Sequence, residues 1–147
     1  MKGQLSIELI VIIGLVLVVF IPLLVMVYYK SNEANEEIAL HQAELAVFRL
    51  AYLANSVGSL GTNTTLYADV YVPKNVGSIK ITRVGSGGEI TFVMNNANSK
   101  TNEISSIIKY KIDKDQTITP NAGGWMRFQI GSDWQGTENK VFIERVT

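Results

Sequence analysis

Cysteine is absent from the 147 residues, and histidine occurs once, at His41. No disulfide scaffold, thiol nucleophile, cysteine-type zinc site or iron–sulfur cluster can be built from this chain. The lack of cysteine leaves the redox compartment open, because an oxidising one permits disulfides without requiring them. Net charge is missing too: 13 Lys+Arg balance 13 Asp+Glu, which argues against a nucleic-acid binder, since neutralising phosphates needs a basic surface. Neither glycine nor proline occurs between Leu23 and Ser56, so nothing in that stretch ends a helix.

What the chain does have is strong segregation. Leu9 to Tyr29 is 21 residues without a charge, of which 19 are apolar, Gly14 and Pro22 being the exceptions. At about 1.5 Å per residue this run is ~32 Å long, enough to cross a hydrocarbon core of roughly 30 Å. A purely soluble domain is excluded. Tyr28, Tyr29 and Lys30 mark the far end as an interfacial aromatic pair and a snorkelling cation. Lys2 lies before the span, while Lys30 is closely followed by Glu33, Glu36 and Glu37. That distribution favours an N-terminus in the cytoplasm and a C-terminal bulk outside.

Beyond the span, Ile38, His41, Leu45, Phe48 and Tyr52 recur at three- and four-residue steps, a helical stripe set among Ala, Glu, Gln and Arg. The first stop signal is Gly58, followed by Ser59-Leu60-Gly61. The pattern predicts one helix from about Leu5 to about Val57, on the order of 80 Å long. Such a rod cannot bury itself in one small domain. His41 on this stripe is expected to be a packed polar residue rather than a ligand.

From Thr62 the texture is β. Strands are predicted at 66–72, 78–84, 89–94, 104–112, 116–119, 125–130 and 141–146, with Gly85-Ser86-Gly87-Gly88 as a hairpin turn and 131–139 as a polar connection. The fold class is α+β: a long N-terminal helix, hydrophobic and then amphipathic, followed by a small antiparallel β head or sandwich. Asp113 and Asp115 read as a turn, because the glycine and final glutamate of a calcium loop are missing. No hydrolytic or redox constellation is present and no cofactor is implied, so the chain does not read as an enzyme.

The start, Met1-Lys2-Gly3-Gln4-Leu5-Ser6-Ile7-Glu8, is unlike a general secretory signal, whose apolar core is shorter and followed by a small-x-small cleavage site. It resembles the class III signal peptide of archaeal type IV pilins, which a dedicated peptidase cuts before the Gln of Gln-x-Ser-x-Glu-x-x-x-Leu. Gln4, Ser6 and Glu8 match at the right spacing, Gly3 precedes the cut, and Ile12 stands in the last position instead of Leu. The resemblance covers Met1 to Tyr29. It implies a pilin-like fold and a surface-adhesion filament built as a homopolymer. Its expected partners are the prepilin peptidase, the pilus assembly machinery and, before assembly, the membrane. The expected division is a leader at 1–3, a polymerisation helix at 4–58 (transmembrane at about 9–29) and an extracellular head at 59–147.

A carboxylate one turn into an apolar span needs a partner. Cleavage after Gly3 would place a new ammonium on Gln4, so that Glu8 of one subunit can pair with the amino terminus of its neighbour; cyclisation of Gln4 would leave only hydrogen bonding. Gly14 and Pro22 are expected to serve helix packing, Pro22 by removing the hydrogen bond to the Val18 carbonyl. Phe48 is expected in the assembly contact, and Asn63-Thr64-Thr65 is a glycosylation sequon at Asn63. Two other readings fit the span and head: a single-pass protein displaying a β binding module, and a minor pilin.

Overall fold

The computed structural model describes residues 4–61, 63–95, 101–135 and 138–146, with side chains described at all of these except 4–6, 101 and 135. A single helix, α1 (Gln4–Leu60), precedes β1 (Thr64–Val72), β2 (Val76–Val84), β3 (Gly87–Asn95), β4 (Thr101–Ile108), β5 (Lys111–Ile112), β6 (Gln116–Ile118), β7 (Gly124–Gln135) and β8 (Glu138–Val146). This is the α+β arrangement expected from the sequence. The chain divides into two compact units between Glu37 and Ile38, inside the helix rather than at its end.

In the first unit every described side chain from Ile7 to Asn35 is exposed. Apolar residues run all round the helix instead of along one stripe, as in a segment solvated by lipid. By length and composition the helix can cross a membrane. Tyr28 and Tyr29 meet edge to face at 6.1 Å, and Lys30 Nζ donates to Glu33 Oε2 at 2.7 Å.

The second unit takes the rest of the helix and both sheets. Their orders are β1-β7-β8-β5 and β4-β3-β2-β6. Period-two alternation explains the layering: in β1, Ala68, Val70 and Val72 are buried while Tyr67, Asp69 and Tyr71 point out. Ile79, Ile81, Ile90, Phe92 and Met94 from one sheet join Val70, Phe128, Ile130, Val141 and Ile143 from the other in a single core. Each such side chain contributes about 1.5–3 kcal/mol by leaving water.

Four sequence expectations change. α1 passes through Gly58 and ends at Leu60, and Gly61, at φ +97°, makes the left-handed exit. Gly58 is needed for another reason, since a Cβ there would collide with the Tyr110 ring. The end of the helix is closed by Asn139 Nδ2, which donates to the Gly58 carbonyl at 3.2 Å, and by the buried Ser132 hydroxyl, which donates to the Gly61 carbonyl.

Second, the strand expected over 104–112 is two strands. The chain leaves one sheet after Ile108 and enters the other at Lys111. Asn55 holds this crossing, its Oδ1 accepting from Lys109 N at 2.8 Å and its Nδ2 donating to Ile107 O at 3.4 Å. Third, β5 pairs with β8 in parallel, the one departure from antiparallel pairing among the described strands. Fourth, much of the polar stretch 131–139 is strand. Ser132 faces Val141 and Trp134 faces Asn139 across the β7–β8 ladder, whose backbone pairing does not depend on apolar side chains.

Exposed ion pairs lace the head: Arg83 with Asp115 (3.2 Å), Arg127 with Asp69 (2.9 Å) and Lys111 with Glu138 (2.5 Å). Hydrogen bonds from Arg83, Arg127 and Lys111 hold the Asp115, Asp69 and Glu138 carboxyls below their ordinary range. A carboxyl depressed in the folded state adds stability above its unfolded pKa, about 4. That stability is lost as pH falls through the lower folded value. Thermal midpoints of the detergent-solubilised chain are therefore expected to be flat from pH 7 to about 5 and to fall below about 4. Asp115→Asn should flatten part of that acid limb; an unchanged limb would exclude the Arg83 pair as a contributor.

Candidate assembly surface

The helical half of the second unit carries two apolar stripes. Ala43, Ala46, Val47, Leu50, Ala51, Ala54 and Val57 are buried in the core. Ile38, Leu45, Phe48 and Tyr52 are exposed, and so is His41. At 100° per residue the two stripes lie about 180° apart on the helix. The stripe that stood out in the sequence is therefore the outward one. The inward face is built mostly of Ala and Val around Leu50, with Leu40 and Leu53 packed against its edge, while Ile38, Leu45, Phe48 and Tyr52 lie on the opposite face.

Phe48 is 56% exposed, so it is not a core residue of the subunit. His41 is not packed either; its Nδ1 lies 3.1 Å from Glu44 Oε2 on the solvated surface. A row of large apolar residues on the outer face of a helix whose inner face is already satisfied is an unpartnered surface of the kind that marks an interaction site.

Beside this stripe lies an open groove of about 280 Å³ lined by Gln42, Leu45, Ala46, Arg49, Val70, Tyr71 and Trp125. Tyr71 and Trp125 are partners across the β1–β7 ladder, and their rings meet edge to face at 5.7 Å. Trp125 is 71% exposed. Its other side borders a second, shallower hollow with Asp69, Arg127 and Val146. Arg127 forks onto both oxygens of Asp69, from Nε at 2.9 Å and from Nη2 at 3.1 Å. Asp69 is held in its charged form chiefly by those bonds, which outweigh the opposing desolvation, with the charges of Arg127 and then Arg49 adding lesser effects. Asp69 is thus hydrogen-bonded by Arg127, with Arg49 adding only a weaker charge effect, and the two cations and one anion sum to an excess positive charge at the rim of the groove.

The other expected positions are distributed along the chain. Gln4 opens α1, and the backbone of Ser6 is helical; their side chains, like all of Gly3, lie outside the described residues. Glu8 is exposed, Gly14 has nothing within 4 Å of where a Cβ would stand, and Pro22 sits inside the helix. No side-chain hydrogen bond or ion pair among the described residues joins any of them. Asn63 is exposed at φ +62° just before β1, its backbone N–H donating to Ser132 O at 2.9 Å. No group of three or more His, Asp or Glu that could hold a metal occurs among the described residues.

Arg49, Tyr71 and Trp125 were not singled out by sequence reasoning. The alternation in β1 does place Tyr71 outward, but only the ladder brings Trp125 beside it. No protein-family model, curated protein or solved structure matches the chain.

Proposed function

We propose that this chain is a structural subunit of an archaeal type IV pilus serving surface adhesion. In this reading a prepilin peptidase recognises Gly3, Gln4, Ser6 and Glu8 and cuts before Gln4. The precursor waits in the cytoplasmic membrane, with its N-terminus in the cytoplasm, as a span of about 9–29. The assembly machinery then extracts it into a cell-surface filament in which lipid around α1 is replaced by other copies of α1.

One observation carries the reading: Gln-x-Ser-x-Glu stands directly before an apolar span that continues without a break into a helix with a large, outward apolar stripe. A permanent membrane anchor needs neither feature. It requires an apolar run of sufficient length, and its juxtamembrane helix gains nothing from exposing Leu45, Phe48 and Tyr52 to water.

Mass spectrometry of filaments sheared from cells tests it. The expected N-terminal peptide begins at Gln4, as the amine or its cyclised form, and the peptide holding Asn63 carries a glycan. A chain found only in membranes with Met1 to Gly3 attached would instead make it a single-pass protein displaying its β head. Low abundance in otherwise normal filaments would make it a minor subunit.

A further inference from the structure

The outward stripe of α1 has two unlike flanks. At 100° per residue, Glu37 and Glu44 lie along one side of it and Arg49 along the other, about 120–140° round the helix. Glu37 is exposed and has no side-chain partner among the described residues, whereas Glu44 is engaged by His41. Arg49 is exposed at the rim of the Trp125 groove, and the nearby carboxylate, Asp69, is already forked by Arg127. One flank therefore holds a negative charge with no side-chain partner among the described residues, and the other a positive charge whose neighbouring carboxylate is already hydrogen-bonded by Arg127, beside exposed aromatic surface.

We propose that the Arg49–Trp125 groove of one copy receives the acidic flank of α1 from a second copy, with Glu37 of the incoming helix set against Arg49. This rests on the filament reading and specifies one contact within it. The charges are complementary, and the helix itself keeps them from meeting in one copy, since side chains meet along a helix only at three- or four-residue spacing while these are twelve apart. The two patches are also different from each other. A contact between unlike patches is heterologous, and where its rotation does not close into a ring it propagates as an open helical filament rather than stopping at a dimer. Leu45 and the Trp125 ring supply apolar area at the centre of the contact, and the ion pair at its edge sets which helix enters and in which register.

Charge reversal tests the pairing. Arg49→Glu and Glu37→Arg are each expected to lower sheared-filament yield by about tenfold or more, because like charges then face each other across the contact. The double variant is expected to recover to within about threefold of the original chain. Both positions are exposed, so head folding, read by protease resistance of the membrane precursor, should be unchanged in all three variants. Single variants that assemble like the original chain overturn the proposal, as they would if the groove held a partner from outside the filament. A double variant no better than the weaker single overturns it as well. These failures leave the filament reading intact, because the original chain still forms filaments that begin at Gln4; that reading fails only if the original chain itself is uncleaved and unassembled.

Discussion

Glu8→Gln is expected to leave the precursor in the membrane at normal level and to reduce its incorporation into filaments on the order of 100-fold, corresponding to the ~3 kcal/mol or more lost when one partner of a buried ion pair is removed. The substitution keeps the shape and one acceptor oxygen while deleting the charge. Glu8 follows Ile7 and precedes Leu9 and Ile10 in a helix whose described neighbours are all exposed and apolar. A carboxylate in that setting costs up to about 3 kcal/mol at the middle of a bilayer and less near an edge. No side-chain partner of Glu8 that would offset this cost is found among the described residues. The offset is expected from the ammonium that cleavage creates on Gln4 of an adjoining copy. Immunoblots of the membrane and sheared fractions, with the N-terminus of the membrane form sequenced, separate the effect on assembly from any effect on insertion or on cleavage before Gln4. A Glu8→Gln chain that enters filaments at within about twofold of the original yield would refute the pairing.

Leu50→Ala and Phe48→Ala, two positions apart, should fail in opposite ways. Leu50 is 1% exposed and sits in the core between helix and sheets. Its truncation is expected to destabilise the head by about 2–5 kcal/mol, since the cavity relaxes only in part. In a two-state transition that lowers the thermal midpoint by roughly 10 °C or more. Phe48 points the other way and is already largely in water, so its truncation should change head stability by less than about 0.5 kcal/mol. The same change strips the outward stripe of its central large residue, and filaments are expected to become fewer and more easily broken by shear. Thermal melts of the detergent-solubilised chain and shear assays on cells give the two readouts. Equal destabilisation of the head by both variants would contradict the face assignment, and unchanged shear resistance in Phe48→Ala would remove the stripe from the assembly contact.

Helical spacing alone leaves the buried face of α1 undecided. Both stripes of the second helical half have helical spacing: Ala43, Ala46, Val47, Leu50 and Ala54 are as periodic as Ile38, Leu45, Phe48 and Tyr52. Periodicity reports that a face repeats, and size draws the eye to the larger residues. Which stripe is buried depends on how closely the sheets approach, and the surface they present is not encoded in the helix. The Trp125 groove has the same origin. Tyr71 and Trp125 are 54 positions apart, and only the pairing of β1 with β7 makes them neighbours.

Local chemistry by itself determined a good deal of this protein. An uncharged run as long as a bilayer is thick, a stretch without helix breakers and period-two alternation from Leu66 onward each act through nearest neighbours, so the long helix, the membrane-capable span and most strands follow directly. The tertiary structure decided whatever depends on residues distant in the chain meeting. It moved the helix end from Gly58 to Gly61, where Asn139 and Ser132 supply the missing hydrogen bonds, and it broke the strand after Ile108, where Asn55 holds the backbone. It also turned Ile38, Leu45, Phe48 and Tyr52 away from the head. Burial and hydrogen-bond satisfaction are properties of pairs of surfaces, and one segment of sequence contains only half of each pair.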